Sequence, residues 1–199
     1  MNETADVAHN LPAIVLLSWW VAVSMLRFLL KADGADPTEN LTADQPDDAS
    51  SQAFPALREA DPGFNAETFL SGARRAYEEI LRAYGLCELD AVQPLLSQEV
   101  FVVFDEACRV RKAKGDILEL ALVGIQSSEI VSADITAEAV EVTVLFRADI
   151  IQTQRQAAND GGNPATVASV ADLWTFSRPR PIGREMWRLI ATDEALQAA

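Results

Sequence analysis

The hydrophobic period of this chain changes at Gly115, from that of helices to that of strands, and the fold has to accommodate both. Before the change, in AETFLSGARRAYEEILRAYG, Phe69, Leu70, Ala73, Ala76, Tyr77, Ile80, Leu81 and Tyr84 recur at i, i+3 and i+4, with Arg74, Arg75, Glu78, Glu79 and Arg82 opposite. That spacing predicts an amphipathic helix with one face to bury. Gly85 is expected to stop it in the left-handed conformation, and Gly72 to let another backbone approach. A short turn, ELDAVQPLL, leads to a second helix capped by Ser97 and carrying Val100, Phe101, Phe104, Ala107 and Cys108. Its basic end, Arg109, Arg111, Lys112 and Lys114, suits a helix's negative pole.

After Gly115 the period is two. Leu118, Leu120 and Leu122 open a strand region through LVGIQSSEIVSADI, and Val140, Val142, Val144 and Phe146 alternate with Glu141, Thr143, Leu145 and Arg147 in the next. AANDGGNP breaks the pattern; VASVADLWTFSR then puts Val170, Asp172, Trp174 and Phe176 on one face, and MWRLIAT groups Trp187, Leu189 and Ala191. Helices followed by four long antiparallel strands predict an α+β domain, the helices covering one face of a curved sheet.

The most apolar stretch lies elsewhere. Leu11 to Leu30 reads LPAIVLLSWWVAVSMLRFLL, twenty residues with one charge; as a helix it rises about 30 Å, the thickness of a hydrocarbon core. Residues 11–31 are therefore expected to be an anchor, with Leu11, Ile14, Leu17, Trp20, Val23, Arg27 and Leu30 along it. A cleaved signal would have a basic start and a shorter apolar run, whereas the tail over residues 1–10 is acidic. Arg27 can reach the interface beside Lys31, and the positive-inside rule places the N-terminus outside and the rest in the cytoplasm. Residues 32–63 carry eight acids against Arg58 alone, the composition of a flexible acidic linker; Phe54 and Leu57 within it and Phe64 just after it are available for a short docking helix. Residues 64–199 form the remaining domain.

Composition excludes several functions. At 199 residues there is room for one domain beside the anchor. A net charge of −14 removes the counterion release that drives nucleic-acid binding, so no nucleic-acid partner is expected. Cys87 and Cys108 are too few for a disulfide scaffold or a four-ligand zinc site, and the one histidine, His9, precedes the anchor. No metal or cofactor is expected, and the cysteines read as free, partly buried thiols.

The blocks FLSGARRAYEEILRAYG, LDAVQPLLSQEVFVVFDEA, LVGI, VEVTVLFRADII, ADLWTFSRP and WRLIAT stand in an order that resembles the Tim44-like family, the bacterial relatives of the mitochondrial import-motor adaptor. The resemblance runs from Phe69 to Thr192 and is carried most by D-x-W-T-F at Asp172 to Phe176 and W-x-L-x-A-T at Trp187 to Thr192. CEL at Cys87 to Leu89 and REM before Trp187 depart from the family pattern at turns. The resemblance implies a cone of the nuclear transport factor two-like type with an apolar cavity between helices and sheet. It also implies an adaptor in a bacterial-type inner membrane, with a chaperone or translocase component as protein partner and membrane lipid as a second.

Phe69, Tyr77, Phe104, Val142, Phe146, Asp172, Trp174, Phe176 and Trp187 are the candidates for lining that cavity or meeting a partner. The same cone also hosts ketosteroid-isomerase and dehydratase enzymes, for which Asp172 is the one candidate acid or base. No histidine accompanies it, so a structural hydrogen bond to an arginine or backbone group is the expected role. Arg74, Arg75 and Arg82 are expected to pair with Glu78 and Glu79 along the helix rather than to bind lipid headgroups.

Overall fold

The computed structural model describes residues 55, 57–59, 61–155, 165–183 and 186–195. The tail, the anchor assigned to 11–31, most of the linker and the AANDGGNP loop lie outside the described residues. The elements are α1 (Ala66–Leu86), a 3-10 turn (Leu89–Leu95), α2 (Gln98–Lys114) and strands β1 (Ile117–Ile135), β2 (Ala139–Arg155), β3 (Thr166–Pro179) and β4 (Arg188–Glu194). The strands form one antiparallel sheet in the order β1-β2-β3-β4, each paired with its neighbour in sequence. The helices pack against it, as the period change predicts. No helix among the described residues is long and apolar enough to cross a membrane.

Helix α1 starts where the Asn65 side chain accepts a hydrogen bond from the Thr68 amide at 2.8 Å, satisfying one of the amides a first turn leaves unpaired. Phe69, Ala73, Tyr77, Ile80, Leu81 and Tyr84 are buried along it, the stripe the sequence spacing demands. Its polar face differs from expectation: Arg74 donates to Ser128 Oγ on β1 at 2.6 Å, and no carboxylate among the described residues lies within 4.0 Å of Arg74, Arg75 or Arg82.

Neither glycine of α1 takes its expected role, and Gly85 takes the one expected of Gly72. The helix ends at Cys87, which takes the left-handed conformation at φ 56°, not at Gly85. Gly85 is buried, and a Cβ there would sit 3.1 Å from the Leu120 amide nitrogen, so this is where helix and strand backbones come together. Gly72 is exposed, with nothing within 4 Å of its Cβ position. Accordingly Gly72→Ala should raise stability by about 0.5 to 1 kcal/mol through helix propensity. Gly85→Val should lower it by about 1 to 3 kcal/mol through overpacking against β1. Urea denaturation of the two variants checks both signs.

Ser97 caps α2, its Oγ accepting from the Val100 amide at 3.3 Å, and Gly115 ends it at φ 70°. The basic end also serves α1, whose last turn has no basic residue. Arg111 Nη2 donates to the Tyr84 carbonyl and Lys112 Nζ to the Cys87 carbonyl at 3.2 Å, so cations from α2 face the negative pole of α1.

Strand β2 is regular: Val140, Val142, Val144, Phe146, Ala148 and Ile150 all face the core and are buried. Opposite them β1 offers Ile135, Ala133, Ile130, Ser128, Ile125 and Leu122. That uneven spacing is produced by three bulges, each of which inserts a residue and returns the same face to the core. A further bulge in the β3–β4 pairing sets Leu189 opposite Phe176 and Thr192 opposite Trp174. Leu189 and Thr192 are therefore the buried residues of β4, and Ala191, expected beside Leu189, faces the other way.

The folded unit begins before Phe64, which corrects the linker boundary. Leu57 has no exposed surface and belongs to the core, Asp61 is ion-paired with Arg178 on β3, and Phe64 packs on Phe69 and Trp187. An acidic composition hid these anchoring contacts.

Candidate functional site: an aromatic pocket beside the start of α1

A cavity of about 360 Å³ opens between the first half of α1, the end of the 3-10 turn and the end of β3. It exists because α1 presents Gly72, Ala73 and Ala76 there, where its inner face elsewhere carries rings and branched chains. Phe64, Phe69, Leu95, Phe176, Met186 and Trp187 supply the apolar wall. Phe69 sits at the centre of the rings, with centroids 4.9 Å from Trp187, 5.5 Å from Phe64 and 6.0 Å from Phe176. The size falls within the roughly 300 to 1,000 Å³ usual for ligand pockets.

Two charges stand at the wall and cancel. Arg178 pairs with Asp61, and its guanidinium carbon lies 4.8 Å from the Trp187 ring centroid, a cation–π contact. Both partners are largely buried, at 15% and 14% side-chain exposure. With its charge already matched, Arg178 leaves the pocket suited to an apolar occupant.

Of the nine candidate cavity residues, Phe69, Phe176 and Trp187 line the pocket. Tyr77, Phe104, Val142, Phe146 and Trp174 do not; each is wholly buried in the core. Tyr77 stacks on Phe146 with centroids 4.6 Å apart and touches Trp174 at the same distance. A shared strand face places Val142, Phe146 and Trp174 under the helices, and Tyr77 from α1 and Phe104 from α2 help to fill that space. Phe64, Leu95 and Met186 were not anticipated; the run of small residues at positions 72, 73 and 76 is the sequence signal that marks the void.

Asp172 is buried away from the pocket. Its Oδ2 accepts from Tyr77 Oη at 2.6 Å, so its partner is a phenol rather than the expected arginine or backbone group. Burial pushes its pKa up to about 6, against the pull of the Tyr77 hydrogen bond, and the charge of Glu194 adds to the rise. Burial and the adjacent carboxylate drive the Tyr77 hydroxyl well above its ordinary range. The two groups form a closed pair inside the core and not an acid and base facing a substrate. Among the described residues no cluster of three or more His, Cys, Asp or Glu side chains could hold a metal.

The model of the Tim44-like domain family matches residues 50–194. Among solved structures, the chain is similar to the intermembrane space region of the chloroplast protein ARC6, at 9% identity and a TM-score of 0.49, covering 67% of this chain and 98% of that one. No curated protein matches the chain. The family match starts ahead of Leu57 and ends at Glu194, the close of β4, so it takes in all the described helices and strands, and the chain belongs to the Tim44-like domain family.

Proposed function

We propose that this protein is a membrane-anchored, non-enzymatic adaptor whose Tim44-like domain holds an apolar protein segment or a lipid chain in the aromatic pocket. The observation that carries the reading is a ring-walled cavity whose only charges among the described residues neutralise each other, bordered by Asp61, Gly63 and Phe64. Those residues close the acidic stretch a few positions after Leu57 enters the core, which supports a pocket beside the join between the domain and its tether. The anchor is Leu11 to Leu30, with the N-terminus outside and the cone-shaped domain on the cytoplasmic side of a bacterial-type inner membrane. The protein partner is of the chaperone or translocase class. A cavity enzyme has less support, because Asp172 is bonded to Tyr77 in the core and is not on the pocket wall.

Carbonate extraction and a C-terminal reporter test the anchor, and capture from native membranes tests the pocket. The protein should stay in the membrane fraction with the reporter active inside. Trp187→Ala should reduce capture at least about tenfold, as expected for a buried aromatic anchor. Val123→Ala, at a residue 59% exposed on β1 at the far edge of the sheet, should not. Release by carbonate, or undiminished capture by a folded Trp187→Ala protein, would refute the respective half of the proposal.

A further inference from the structure

Away from the pocket, the end of α1 and the middle of α2 bring two cysteines to one arginine. Arg111 Nη2 lies 3.0 Å from Cys87 Sγ and 3.1 Å from Cys108 Sγ, and also donates to the Tyr84 carbonyl. Its guanidinium carbon is 4.5 Å from the Tyr84 ring centroid. Arg111 Nε and Nη1 are buried without a hydrogen-bond partner, and among the described residues no carboxylate lies within 4.0 Å of this cation. A largely buried charge thus faces two sulfurs where an acid would ordinarily stand, and anionic sulfur is the counter-charge the site can generate.

The two sulfurs are not equivalent. Cys108 is buried, and burial together with a hydrogen bond to Cys87 pushes its thiol up to about 12 even against Arg111. Cys87 is half-buried and occupies the left-handed cap of α1, outside the rigid helical frame. Of the two cysteines it is the more accessible to a solute.

We propose that Cys87 is a peroxide-reactive thiol, activated by Arg111 and resolved by Cys108 into an intramolecular disulfide. In the first step the Cys87 sulfur, carrying its electron pair as thiolate, attacks one oxygen of a hydroperoxide. The O–O bond breaks, an S–O bond forms, and the other oxygen leaves as hydroxide or alkoxide and takes from solvent the proton that Cys87 gave up, forming water or alcohol and leaving the sulfenic acid. In the second step the Cys108 sulfur attacks the Cys87 sulfur, an S–S bond forms, and the S–O bond breaks. The hydroxide leaves with the Cys108 proton as water, so two thiols are oxidised by one peroxide. Arg111 matches the charge on the attacking sulfur before the first step and is left with the Tyr84 carbonyl and ring after the second.

The experiment treats the full chain in detergent with hydrogen peroxide. The expected product loses two hydrogens in intact mass, and both free thiols, without dimerising, and peptide mapping joins Cys87 to Cys108. Cys108→Ser should stop at the sulfenic acid, trapped by dimedone on Cys87. Arg111→Met should slow Cys87 oxidation about tenfold or more at equal pH, and Arg111→Lys should recover part of the rate by restoring the charge. Circular dichroism confirms that each variant is folded; if Arg111→Met is not, the comparison of Arg111→Lys with the unaltered chain decides, through a reduced rate. A Cys87 that stays reduced, a disulfide formed only between molecules, or a rate indifferent to residue 111 would overturn the proposal.

Discussion

Trp174→Ala is expected to destabilise the domain by about 3 to 5 kcal/mol, enough to unfold a protein of ordinary stability. The ring has no exposed surface and packs against Tyr77 at 4.6 Å, Phe146 at 6.0 Å and Phe176 at 6.3 Å between centroids. Its indole nitrogen is buried without a hydrogen-bond partner, so the loss is of apolar contact and of the cavity left behind. Trp187 stands only half-buried at the pocket, and Trp187→Ala should cost about 1 to 2 kcal/mol. Urea unfolding followed by far-ultraviolet circular dichroism measures both. Equal losses would mean that the core and the pocket have been wrongly divided.

Replacing Asp172 with Asn should make the protein more stable at neutral pH, an unusual sign for a change in the core. The carboxyl of Asp172 titrates near pH 6 when folded, against 3.8 for the free group, because burial penalises its charge. The folded state therefore holds its proton more tightly than the unfolded state does. Stability from this group is fully present below pH 3.8 and is lost as the pH rises through about 6. The loss amounts to about 2 to 3 kcal/mol at pH 7.5. Asn keeps an acceptor for the Tyr77 hydroxyl and does not ionise. The stability difference between Asp172→Asn and the unaltered protein should thus grow from pH 4 to pH 7 and level off above it. A difference that does not change across that window would show that Asp172 is not an ionising core group.

Much of this fold is legible in the sequence, for reasons tied to particular residues. The α1 stripe from Phe69 to Tyr84 and the even-numbered row of β2 repeat without interruption, so period alone locates them. In β1 the row fails after Leu122, because each bulge shifts the face by one residue and no composition signal marks it. The same effect at the β3–β4 pairing moved the buried position to Thr192. Gly85 reads as a helix stop because a glycine near a helix end so often is one; here the close approach of Leu120 requires it, and Cys87 takes the left-handed position.

The site was legible only in part. Aromatic residues on the right strand faces were visible, but Trp174 and Trp187 look alike in sequence. Burial separates them: one meets Tyr77 beneath α1, the other lies across the gap left by Gly72 and Ala76. The Asp61–Arg178 pair, 117 positions apart in sequence, could not be read from either residue's surroundings.

These two tryptophans also provide the most direct test of the pocket as a binding site. In a fragment of residues 50–199, first shown to melt cooperatively, they are the only indoles, giving two side-chain N–H signals in a nitrogen–proton NMR spectrum. On titration with a short-chain phospholipid below its micelle concentration, or with an apolar peptide, the Trp187 signal should shift saturably while that of Trp174 stays in place. A Trp187 signal unmoved by either probe, or one that shifts without saturation, would contradict the account.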